Sequence, residues 1–407
     1  MQNYELYTFP SGLRLIHRQT NSPVSYSGFA VNAGARDEKP AQHGIAHFIE
    51  HMLFKGTKKR KFGHIINRME NVGGELNAYT SKEETLIYSV FLEEHFERAL
   101  ELLTDLTFNS QFPSNEIEKE RDVILDEINS YKDNPSELIF DDFENLLFSR
   151  HEIGHNILGE PETLENIHKD ELIQFHHHFY QPQNMVFFSM GRTSFKKVVR
   201  LAQKYLGEVQ NINAIELNRI SPNGIESKLK HENKDLYQKH VIVGTRAYSI
   251  FDKGRTSLFL LNNILGGPGM NSRLNLSLRE KSGLVYNIES NLTSYTDTGV
   301  FSIYFGCDPK YAEKCMSLVY KELRNLREHK MTESQLSTAK KQLKGQLGIS
   351  NENSENISLG MGKTFLHRNE CDNLERIYQR IDQLTASELL YTANDVFCED
   401  NLVRLVY

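Results

Sequence analysis

Two histidines and a glutamate, His47, Glu50 and His51, stand together in the stretch HFIEH. On an α-helix, residues i, i+3 and i+4 fall within an arc of about 100°, so all three side chains reach toward one point. The neighbouring GIA and MLF are apolar, leaving Glu50 the only formal charge between Lys39 and Lys55. A helix that is apolar nearly all round is buried. Buried ionisable groups are costly unless they are paired or bound to metal, so this cluster demands a partner. The order H-x-x-E-H is the inverse of the H-E-x-x-H zinc-site signature. In it, neutral His47 and His51 ligate Zn2+ and Glu50 takes a proton from a metal-bound water, the chemistry of metal-assisted hydrolysis. The bland alternative is a pair of core histidines. Among 16 His a spacing of four arises by chance, but the intervening Glu on an otherwise apolar helix favours the metal.

Zinc held by two imidazoles needs at least one further protein ligand. Residues 116–131 have the pattern of a helix begun at Pro113 and Ser114, with acids in its first turns where the helix dipole favours them. Its apolar stripe is Val123, Ile124 and Ile128. Helical spacing adds Glu120 and Glu127 to that stripe, placing two carboxylates on the face expected to be buried. Glu127 as third ligand and Glu120 as a carboxylate supporting a ligating His is the economical assignment. The alternative is the solvated flank of an acidic helix.

Four blocks, HFIEHMLFKGT (47–57), GGELNAYT (73–80), ERDVILDEI (120–128) and REKSGLVY (279–286), occur in an order that resembles the pitrilysin/insulinase family of zinc peptidases. Size and pattern are most similar to the half-length bacterial peptidases related to the β-subunit of mitochondrial processing peptidase. The resemblance implies a Zn2+ cofactor held by His47, His51 and Glu127, with Glu50 the general base and Glu120 supporting the site. It also implies that Arg279 and Tyr286 contact the substrate, that Asn77 and Ala78 touch its backbone, and that two domains enclose a chamber. The expected activity is a zinc-dependent endopeptidase cutting extended or unfolded peptides, working as a homodimer. The rival expectation is a non-catalytic or partner-requiring scaffold subunit of a processing-peptidase-like complex, and a small-molecule metallohydrolase is a weaker third.

The elements that must position these residues form two similar sets. With 407 residues and 39% hydrophobic content, the chain exceeds what one core usually serves. In the first half a strand at 86–91 precedes an amphipathic helix at 93–108 and the acidic helix. In the second half a strand at 300–305 precedes a helix at 310–329. A capping box at Thr332 and Gln335 then opens another long helix. Aligning Ser114 with Thr332 sets Glu120 opposite Thr338 and Glu127 opposite Gly345, so the second copy keeps the scaffold without the ligands. Clustered strands and helices predict an α+β fold of two homologous domains, each a mainly antiparallel sheet with helices on one face. The polar segment 209–230, with Pro222 and Gly224, is the expected linker between domains 1–208 and 231–407. Gly73 and Gly74 read as a turn into a sheet edge, where an extended substrate adds as a further strand, or simply as a tight turn.

Net charge is −7 and the only basic run, KGTKKRK, has the pattern of a solvated turn, so nucleic acid is not an expected partner. No stretch approaches 18 apolar residues and the amino end lacks the pattern of an export signal, which with no C-x-x-C spacing among Cys307, Cys315, Cys371 and Cys398 favours a cytoplasmic protein with free thiols and no membrane association. Consecutive His176, His177 and His178 point to different sides of any regular element and make a poor metal site. The Gly266 to Gly269 run lacks the Lys-Ser/Thr of a phosphate loop.

Overall fold

The computed structural model describes residues 4–211, 215, 217–222, 224, 229–232, 234 and 236–407. These form two compact units. The first holds a six-stranded sheet built from β1 (Glu5–Thr8), β2 (Arg14–Gln19), β3 (Val24–Val31), β4 (Glu75–Thr80), β5 (Thr85–Leu92) and β6 (Met185–Gly191). Their order is β1-β2-β6-β3-β5-β4, antiparallel throughout except for the β2/β6 pair.

Alternation along these strands assigns each side chain to a face. Leu15, Phe29, Val31, Ile87 and Phe187 face the main core, which the helices Ile45–Leu53, Phe96–Asn109, Lys169–Phe179 and Phe195–Leu206 complete. Their neighbours Ile16, Ala30, Leu86, Val186 and Phe188 face a second core. With apolar residues at successive positions, the central strands cannot leave one face to water.

The second unit holds a five-stranded sheet of β7 (Leu229–His231), β8 (Lys239–Ala247), β9 (Val285–Ser294), β10 (Gly299–Cys307) and β11 (Val403–Val406). Its order, β7-β11-β8-β10-β9, repeats β2-β6-β3-β5-β4 position for position, including the single parallel pair, here β7/β11. The helices Arg255–Gly266, Ala312–Glu328, Glu333–Ser350 and Ala386–Val396 line one face. The strands expected at 86–91 and 300–305 are β5 and β10, equivalent in the two orders. The capping box forms, with Thr332 N donating to Gln335 Oε1 at 2.9 Å and Gln335 N donating to Thr332 Oγ1 at 3.3 Å. The fold is α+β, with two sheets of matching topology.

The division between units differs from a cut at 209–230. The first unit comprises described residues within Met1–Asn129, His155–Arg219 and Asn351–Asn373, and the second those within Ser130–Gly154, Ile220–Ser350 and Leu374–Tyr407. Two helices are thereby exchanged between the halves of the sequence. Helix Ser354–Arg368 brings Met361, Phe365 and Leu366 to the second face of the first sheet. Helix Pro135–Leu147 brings Ile139, Phe143 and Leu147 to the face of the second sheet formed by Ile242, Val300 and Leu405. Each sheet thus has its second apolar face covered by the helix that follows the long helix of the other half. Part of the expected linker, residues 212–214, 216, 223 and 225–228, lies outside the described residues.

Candidate metal centre

The helix Ile45–Leu53 is held in place from its amino end. Gly44 precedes it at φ +95, and a Cβ there would meet Leu158 O at 2.6 Å, so this position accepts glycine only. A glycine has no capping side chain, and Glu38 does the capping from a distance. Its carboxylate accepts from Gly44 N and Ala46 N, both at 2.8 Å, and lies 3.0 Å from His155 Nε2. An anion at this terminus also opposes the positive end of the helix dipole. Burial nevertheless pushes the Glu38 carboxyl well above its ordinary value, against the two backbone N–H groups.

Ligand atoms of His47, His51 and Glu127 lie within 4.8 Å of one another. Nε2 of His47 is 3.8 Å and Nε2 of His51 3.6 Å from Glu127 Oε2, and the two rings stand 4.7 Å apart at 69°. These separations exceed good N–H···O hydrogen bonds. They are close to the roughly 3.4 Å between donors placed about 2.1 Å from a tetrahedral ion. On its other side, His51 Nδ1 lies 3.2 Å from Glu120 Oε2, which orients the ring and directs Nε2 toward Glu127. His47 Nδ1 and Glu50 Oε2 are buried without a hydrogen-bonding partner. Two imidazoles, one carboxylate and the unmet buried atoms beside them fit a zinc ion.

The electrostatics set the two rings apart. Burial and the neighbouring His51 push His47 down to about 4, with Glu127 opposing, so its ring is neutral and able to ligate near pH 7. Burial alone would lower His51, but Glu127 and Glu120 outweigh it and hold the ring above its ordinary value. Facing His51 and His47, Glu127 is held down despite some desolvation. Burial raises the Glu50 carboxyl, with Thr80 and His51 opposing.

The third ligand, Glu127, comes from helix Ser114–Lys132, whose buried stripe is Ile117, Glu120, Arg121, Ile124 and Ile128. Val123, expected in that stripe, is 47% exposed. At 100° per residue, the stripe centres near Ile124, Glu127 falls at its rim and Val123 beyond it. The Glu127 side chain is accordingly 44% exposed, which leaves an approach from solvent, whereas Glu120 at 9% is enclosed. Arg121 ties this helix down by donating to Leu164 O and, at 3.0 Å, Ile167 O, with its guanidinium 5.7 Å from the Phe48 ring of the motif helix.

Asn77 and Ala78 lie in β4, which among the described residues pairs only with β5 and so forms an edge of the first sheet. Arg279 sits on a π-helical segment, Asn275–Glu280, at the wall of a cavity of about 570 Å³ in the second unit. Tyr286 lies in the edge strand β9 and is 86% exposed. His176 is buried with Nε2 2.9 Å from Thr107 O, and His177 and His178 are exposed. The sequence missed Glu38, Arg121 and Lys55, whose ammonium is 2.5 Å from Glu120 Oε1. Only Lys55 left a trace, since it stands four residues beyond His51.

The chain matches the family described as Insulinase (Peptidase family M16) over residues 14–161 and that described as Peptidase M16 inactive domain over residues 166–343. It is 32% identical to the protein named uncharacterized zinc protease YmxG of Bacillus subtilis (strain 168), covering 98% of this chain and 97% of that one. It is 31% identical to an uncharacterized zinc protease of Rickettsia bellii (strain RML369-C), covering 97% and 95%. The crystal structure of a protease from Helicobacter pylori shares the fold, with a TM-score of 0.93 and 24% identity over 100% of this chain and 99% of that one. The two family matches follow one another along the chain, the relatives align over nearly all of it, and the protein belongs to the insulinase, or pitrilysin, family M16.

Proposed function

We propose that this chain is a zinc-dependent endopeptidase acting on extended or unfolded peptides inside the cell. The observation that carries the proposal is the convergence of His47, His51 and Glu127 beside a buried, unpartnered Glu50 carboxylate oxygen. The names of the full-length relatives, zinc proteases, support it. No helix among the described residues is long and apolar enough to cross a membrane, and the four cysteines are free.

Zinc, when bound, polarises the scissile carbonyl and brings the pKa of a water to about 7. Everything else falls to the chain. His47, His51 and Glu127 would hold the ion, and Glu120 keeps His51 in the tautomer whose Nε2 is free to ligate. Glu50 takes the proton of the attacking water and returns it to the leaving amine. Arg279 is assigned to a peptide carbonyl and Tyr286 to donating a hydrogen bond as charge develops on the carbonyl oxygen. Asn77 and Ala78, on the open edge of the sheet, offer main-chain hydrogen bonds to an added strand, which selects extended substrates.

The working form is proposed to be a homodimer. The rival is a scaffold subunit, favoured by the match of residues 166–343 to a domain described as inactive. Against it stand intact His47, Glu50, His51, Glu120 and Glu127 in the other match. Digestion of a mixed pool of unstructured peptides, with gel filtration of the same sample, separates the two. Chelator-sensitive cleavage by the chain alone is expected. Inactivity alone with rescue by a second protein would establish the subunit.

A further inference from the structure

The Lys55 ammonium reaches 2.5 Å from Glu120 Oε1, while the other oxygen of the same carboxylate lies 3.2 Å from His51 Nδ1. Lys55 follows the last turn of the motif helix, where its own N–H bonds to Met52 O at 3.1 Å and the side chain folds back over the site. Its side chain is 19% exposed, and its ammonium stands 5.0 Å from the centre of the Phe62 ring. Glu120 is thereby gripped at both oxygens, each by a different donor.

We infer that Lys55 is a positioning residue for the metal centre, acting through Glu120 to hold the His51 imidazole in its ligating orientation. This rests on the zinc reading of the site. A buried carboxylate with one donor on one oxygen is free to rotate about its terminal bond, and an uncompensated buried charge is unfavourable. With Lys55 at Oε1 and His51 Nδ1 3.2 Å from Oε2, the carboxylate is held at both ends. A ring so held donates from Nδ1 and presents Nε2 with its lone pair toward Glu127 and His47. Carboxylates that orient a ligating His typically change metal affinity by about 10–100-fold when removed. Lys55 works one bond further out, and its effect must pass through Glu120.

That dependence makes the inference testable without reference to turnover. Zinc affinity is measured by competition with a chromophoric chelator for wild type, Lys55→Met, Lys55→Arg, Glu120→Gln and the double variant Lys55→Met/Glu120→Gln. Lys55→Met is expected to weaken zinc binding about 10-fold or more, and Lys55→Arg to restore most of it. The double variant is expected to bind zinc no more weakly than Glu120→Gln alone, because both changes remove one pathway. Thermal unfolding of the zinc-free proteins distinguishes a fold defect; should Lys55→Met unfold, Lys55→Gln takes its place. Wild-type affinity in the folded Lys55→Met (or Lys55→Gln) variant, or losses that multiply in the double variant, would overturn the role of Lys55. Failure of wild type to bind zinc at all would instead overturn the metal reading on which it rests.

Discussion

His51 Nδ1 lies 3.2 Å from Glu120 Oε2, and the opposite nitrogen of the same ring faces Glu127 at 3.6 Å. One imidazole thus joins two carboxylates of a single helix, Glu120 and Glu127, spaced by two turns. The enclosed partner orients the ring and the rim partner shares its ligand face, so the two acids have different duties despite their common helix.

Glu50 is assigned a proton-transfer duty and no share in holding the ion. Glu50→Gln is expected to lower kcat by at least about 10²–10⁴-fold while zinc content stays at the wild-type level. Peptide cleavage rates and metal analysis of one preparation check this. A fully active Glu50→Gln protein refutes the assignment.

Tyr286 projects from the edge strand β9 with its side chain exposed, free of packing duties. Tyr286→Phe should reduce kcat/KM by about 10–100-fold without changing zinc affinity, as expected for a hydroxyl that donates to the developing oxyanion. Steady-state kinetics with unchanged kcat and KM would remove Tyr286 from the site.

Glu84 anchors the exchanged helix Ser354–Arg368 to the first sheet through Lys363 Nζ at 2.5 Å and His367 Nε2 at 2.9 Å. Burial works against its charge, yet His367 and Lys363 prevail and hold the carboxyl down to about 2. Glu84→Gln removes the anion that pairs with Lys363 and contacts His367, and is expected to destabilise the zinc-free protein by about 1–3 kcal/mol. Urea unfolding measures the change, and a loss below about 0.5 kcal/mol, the range of a surface pair, would show that this clamp is dispensable.

The helix exchange was not legible in the sequence, and the reason is physical. Local pattern does not say which sheet a helix such as Pro135–Leu147 or Ser354–Arg368 covers, because its partner strands come from the other half of the sequence. The motif helix was legible because its three functional residues are set by a local spacing. Glu127 followed from helical periodicity even though Val123 was misplaced beside it, since one residue step of 100° separates rim from solvent. Lys55 was absorbed into the basic run KGTKKRK, whose charge pattern hides a side chain that folds back. Glu38 caps a helix beginning several residues later, a relation that exists only once the loop is folded.

His17, fully buried with Nδ1 2.6 Å from Ser189 Oγ, supplies a pH dependence separate from the metal. Burial pushes it down to about 4, against backbone contacts with Thr193 and Ser189. Between pH 6.5 and about 4 the unfolded chain takes up a proton that the folded chain refuses. Its contribution is therefore complete above pH 6.5 and is lost as pH falls through this window, by up to about 3 kcal/mol. Urea unfolding of the zinc-free protein at pH 7 and pH 5 should show a smaller acid loss for His17→Gln than for wild type; equal losses would contradict the burial of a neutral ring.

The most direct test is zinc stoichiometry of the purified chain and of Glu127→Ala, read by native mass spectrometry after metal loading and dialysis. One zinc per wild-type chain and none retained by the folded Glu127→Ala variant is the expected result. A wild-type chain that holds no zinc, or a variant that keeps a full equivalent, would contradict the claim that two imidazoles of one helix and a carboxylate of another enclose the ion.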